Sequence, residues 1–155
     1  MKPVLLRRAF FVGSSMWALA IPLTAFAASR PAANPAVYAF ALTMYSVGRV
    51  VCHQLPVRSF HLWGSSLPVC ARCAGIYAGA AVTAITLRFG LPAQARSVKP
   101  DARVEPRLVL LAALAPTAAT LVFEWTTGVM PANWIRALAG VPLGAAVAWA
   151  IGMVN

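Results

Sequence analysis

Acidic residues are nearly missing from this chain: three Asp and Glu stand against 13 Lys and Arg among 155 residues, a formal net charge of +10. Charge of either sign is scarce, at 10% of residues where soluble chains carry about 25%, so an ordinary water-facing surface is excluded. Glu124 is the sole acid inside the long apolar runs, which rules out a membrane carboxylate dyad. Ser65 and Ser66 have no nearby acid to complete a Ser-His-Asp arrangement with His61. Haem attachment through C-x-x-C-H fails because Ala74 follows Cys73. The basic excess comes without a basic amphipathic helix, finger spacing or a polar domain, so nucleic acid is not the expected partner. Anionic lipid headgroups are the simpler match for it. No nucleotide cofactor is indicated.

Apolar length is what the chain has instead, with 61% hydrophobic residues. About 20 apolar residues cross a bilayer. The first run, Ala9 to Ser29, follows Lys2, Arg7 and Arg8. It reads as a membrane anchor or, with its small-residue TAFAAS end, as a signal-like segment occupying residues 1–34. Further runs at Pro35 to Val51, Pro68 to Phe89, Leu108 to Val129 and Trp134 to Val154 make residues 35–155 a helical membrane domain. The expected fold is all-α: a polytopic membrane helix bundle of four or five apolar helices with a Cys/His-rich loop at the membrane surface. No strand pattern competes, because an open sheet leaves its backbone unsatisfied in lipid. Pro131 and Asn133 predict a turn and a helix cap. The stretches Gly75 to Gly79 and Gly140 to Gly144 both match G-x-x-x-G and predict close helix packing.

The loop from Arg88 to Arg107 carries five basic and two acidic residues and is expected on the cytoplasmic side. The loop preceding Cys70 then falls on the outer face of a multi-pass cell-membrane protein. Five full crossings would put the basic N-terminus outside as well. A second segment that only dips into the interface removes this conflict, leaving four crossings.

All three cysteines and both histidines lie between Val51 and Tyr77, in VCHQLPVRSFHLWGSSLPVCARCAGIY. Cys70 and Cys73 form a C-x-x-C at the start of an apolar segment, where a helix would place both sulfurs on one face. With Cys52 and His53 they make a Cys3His set suited to zinc or iron. Adjacent Cys52 and His53 tend to point apart on a regular backbone, which keeps His61 open as the fourth ligand. A disulfide, thiol-redox chemistry or simple packing of half-buried thiols compete with the metal. Arg58 and Arg72 are candidates for offsetting thiolate charge or binding an anion, against the plainer reading that they snorkel. Glu124 needs a partner in lipid, Arg136 or Arg72, and the Glu124–Arg136 pair is the expected membrane polar contact.

CHQLPVRSF followed by LPVCARCAGIYAG resembles the defining segment of a family of small bacterial and archaeal predicted membrane proteins, domain of unknown function 2085. PTAATLVFEWTTGVMPANWIRALAGVPLG is similar to that family's second region, and the resemblance covers about Val47 to Val147. It implies a polytopic membrane protein and favours His53 over His61 as a functional residue, but implies no reaction. Three functions follow as expectations: an integral membrane protein with a metal site at Cys52, His53, Cys70 and Cys73; a membrane thiol-disulfide oxidoreductase; or a lipid-binding or small transport component, the last favouring a homo-oligomer. The residues leave open whether the protein is an enzyme.

Overall fold

A computed structural model describes residues 3–30, 34–90 and 105–153. Among these the chain forms five α-helices: α1 (Pro3–Ala28), α2 (Pro35–Val51), α3 (Ala71–Ile85), α4 (Pro106–Thr127) and α5 (Asn133–Gly152). A π-helical turn, Thr86–Gly90, extends α3. Most of the basic loop expected at 88–107 lies outside the described residues.

Local signals account for the helix ends. Asn34 accepts a hydrogen bond from the Ala36 N–H at 2.9 Å, and Pro35 occupies the first turn, where its missing donor costs nothing. Pro106 does the same for α4, which stops at Gly128 in the left-handed conformation, φ 68°. The expected cap at Asn133 is not one: Ala132 holds that position without a side-chain bond, and Asn133 reaches across to donate to the Ser59 carbonyl at 3.0 Å.

Three helices, α1, α4 and α5, are long and apolar enough to cross a membrane. Their large side chains point outward: Leu5, Met16, Leu19, Leu111, Trp125 and Leu138 are all exposed. The interior is lined instead by small residues such as Ala25, Ala71, Ala84, Ala139 and Ala148. This is the distribution of a bundle solvated by lipid, where helices associate by close approach and large apolar groups gain nothing by turning inward.

The two G-x-x-x-G stretches face each other. A Cβ on Gly75 or Gly79 would collide with the carbonyls of Ala137 and Val141, and one on Gly140 or Gly144 with those of Arg72 and Ile76. Partner numbers rise together along the contact, so α3 and α5 run parallel. α4 runs antiparallel to α5, with the Thr117 hydroxyl donating to the Ala139 carbonyl at 2.8 Å. α1 is also antiparallel to α5: Arg7 donates to the Gly152 carbonyl, while Phe26 packs edge-on to Trp63 at 5.3 Å. The C-terminal ends of α1, α2 and α4 and the N-terminal ends of α3 and α5 therefore meet at one end of the bundle.

That end is closed by a 3-10 turn, Pro56–Arg58, and a short antiparallel hairpin of β1 (His61–Leu62) and β2 (Ser65–Ser66). The hairpin departs from the all-helix expectation. Trp63 and Gly64 both take positive φ, 53° and 79°, the requirement of a tight two-residue turn. It lies in the connection between helices, so the rule against open sheet in lipid does not reach it.

Candidate metal centre

The site begins at the end of α2. Cys52 leaves the helix in an extended conformation while its N–H still bonds the Gly48 carbonyl at 2.9 Å. Gln54 sits at positive φ, and its amide donates to the carbonyls of Tyr45 and Pro68, both at 2.7 Å. The Tyr45 hydroxyl donates to the Ser66 carbonyl. Gly48 completes the clamp, because any side chain there would strike the Pro68 carbonyl. Together these contacts press the chain entering α3 against the end of α2, and the Cys70 N–H donates to the Cys52 sulfur at 3.1 Å.

Cys70 precedes the first turn of α3 and Cys73 lies within it, a spacing that puts both on one helix face. The three sulfurs lie within 4.8 Å of one another and none is in a disulfide. Three sulfurs around a tetrahedral zinc at about 2.3 Å stand roughly 3.8 Å apart, so small side-chain rotations bring this cluster to bonding geometry. The trio is geometrically able to coordinate a metal ion. A hydrogen bond from the Cys73 thiol, with smaller help from the Cys73 N–H and the Cys52 thiol, outweighs burial and holds the Cys70 thiol down at about 5. Within the C-x-x-C, Cys70 loses its proton before Cys73, whose thiol is pushed up by the neighbouring Cys70 and by burial.

Cys52 is buried and its neighbour His53 exposed. His53 still lines the cavity of about 300 Å³ shared by the three cysteines, outside their 4.8 Å group. His61 sits exposed on β1, away from that cavity.

The same cavity is walled by Arg58, Arg72 and Arg136. All three converge on Glu124 of α4, with nitrogen–oxygen separations of 2.5 Å from Arg58, 3.0 Å from Arg136 and 3.8 Å from Arg72. Glu124 is 6% exposed and Arg136 only 2%, whereas the Arg58 side chain, at 39%, stands at the mouth. Arg72 also donates to the Thr120 hydroxyl at 3.3 Å. These pairs are close but poorly aligned: both Glu124 oxygens, Arg136 Nε and Nη2, and Arg72 Nε are enclosed without a well-directed hydrogen bond.

From the sequence, Arg136 and Arg72 are the expected partners of Glu124, and Arg58 is expected to offset thiolate charge or bind an anion. The structure brings in Arg58 as the shortest contact, across 66 positions that no spacing rule connects. Gly48 gives no chemical signal in the sequence, Gln54 stands there only as part of CHQ and Asn133 only as a helix cap, yet all three fix the backbone on which the site is built.

Residues 52–150 match the family model described as "Predicted membrane protein (DUF2085)". An uncharacterized protein of Methanocaldococcus jannaschii is 46% identical over 48 residues, 31% of each chain. An uncharacterized protein of Methanothermobacter thermautotrophicus is 53% identical over 32 residues, 21% of this chain and 29% of the relative. The matched segments thus span less than a third of either relative's length. No solved structure matches.

Proposed function

The chain belongs to the DUF2085 family of predicted membrane proteins, and we propose that its working part is a thiolate metal centre at one end of the helix bundle. Cys52, Cys70 and Cys73 supply three ligands to zinc or iron. The observation that carries this reading is three cysteine sulfurs, contributed by two separate helix ends, gathered within 4.8 Å beside an accessible cavity. His53 lines that cavity and takes the fourth position after a side-chain rotation, or an incoming ligand takes it instead. With His53 bound the site is structural; with the position open it can polarise a substrate.

The centre belongs to the outer face in this reading and the loop at 88–107 to the cytoplasm. α1 remains as an anchor, since Ala25 and Thr24 are fully buried and Ile21 packs with Cys52, Leu67 and Val69. α2 serves as a tilted interfacial segment. α1 and α2 both finish at the site end, and the seven residue steps from 28 to 35 reach at most about 25 Å, less than the roughly 30 Å hydrocarbon a returning link would have to cross. Four crossings, by α1, α3 with its π turn, α4 and α5, then leave both chain ends on the cytoplasmic side, in keeping with the basic start of the chain.

Elemental analysis of protein purified in detergent without chelator tests the proposal. About one zinc or iron per chain, lost in Cys73→Ser, is the expected result. A metal-free protein with Cys70 and Cys73 joined in a disulfide would replace it with the thiol-oxidoreductase reading.

A further inference from the structure

We propose that the arginine-walled cavity is a binding site for a phosphate group, presented either by an anionic lipid or by free phosphate. Three guanidiniums face one carboxylate there, so the ion cluster keeps two positive charges in excess. Three thiolates around a divalent metal carry one negative charge, which still leaves a surplus of one. Arg58 is partly solvated at the mouth, but positive charge on the buried Arg136 and largely buried Arg72 is costly, and an anion in the cavity offsets it. Hydrogen-bond capacity points the same way: Arg136 is 98% buried, lines the cavity, and pairs with Glu124 through Nη2 while its Nε is left without an acceptor, as is Arg72 Nε. Planar guanidinium forks suit phosphate oxygens. Arg58, half-open at the mouth, is placed to meet the anion first, and Val51 and Leu55 give the rim an apolar edge compatible with a lipid's glycerol end.

The site shares its cavity with the thiols but rests on the arginines, so it is testable on protein that has been reduced and stripped of metal. Binding of inorganic phosphate and of dihexanoyl phosphatidate is measured by calorimetry in neutral detergent. Saturable binding of at least one is expected, weakened about tenfold by Arg58→Gln and by Arg72→Gln, since each loses a charged hydrogen bond. Arg49→Gln, an exposed change outside the cavity, leaves affinity unchanged. Binding of both probes assigns a phosphate site open to soluble anions; binding of phosphatidate alone assigns a lipid headgroup site. No binding of either, or losses equal in Arg49→Gln and the cavity variants, overturns the proposal. Arg58 is partly exposed, so its variant folds even if Arg72→Gln does not.

Discussion

Cys70 carries the most direct consequence of the local geometry. A thiol held at about 5 is mostly thiolate above that pH and becomes protonated as pH falls through it, whereas an unperturbed thiol near 8.5 is about 0.3% ionised at pH 6. In reduced, metal-free protein, iodoacetamide should therefore modify Cys70 nearly as fast at pH 6 as at pH 8, read by peptide mass spectrometry. A rate climbing a hundredfold over that interval would show an ordinary thiol. Glu124 makes the second residue-scale prediction. Glu124→Gln leaves three guanidiniums without their carboxylate, and breaking a buried pair costs about 3–5 kcal/mol, so the unfolding midpoint in mild detergent should drop sharply. Removing the half-exposed Arg58 should cost about 1 kcal/mol or less.

At the scale of elements, the α3–α5 contact aligns Arg72 and Cys73 with Arg136. Gly75→Ala or Gly144→Ala drives a methyl into a neighbouring backbone carbonyl and should destabilise by about 1–3 kcal/mol, with loss of any metal held by the cluster. Gly13→Ala in α1 meets nothing within 4 Å and should be neutral or stabilising by up to about 1 kcal/mol. Thermal unfolding of the three variants separates the cases. The glycine spacings at 75–79 and 140–144 were legible in the sequence because small residues at one-turn intervals have few other uses in lipid. Their pairing, and its parallel sense, was not, because a four-residue repeat specifies a face without naming the helix that fills it. The C-x-x-C was legible for the same local reason. The approach of Cys52 depended on the Gln54 clamp and the cleft at Gly48, which residue type alone does not announce.

For the whole molecule, a bundle with small residues inside and leucines outside gathers Cys52, Cys70, Cys73, Arg58, Arg72, Glu124 and Arg136 at a single end. The topology proposed above predicts that a membrane-impermeant maleimide labels reduced Cys70 in intact cells, while a cysteine introduced at Ser97 in the basic loop is labelled only after permeabilisation. The reverse pattern would invert the protein. The metal centre itself is tested most directly by X-ray absorption at the zinc or iron edge on the purified protein. Three sulfur neighbours are expected, at about 2.3 Å if the metal is zinc, with one lighter nitrogen or oxygen neighbour and a sulfur count that falls to two in any residual metal held by Cys52→Ser. A bound metal with no sulfur neighbours, or the same sulfur count after Cys52→Ser, would contradict it.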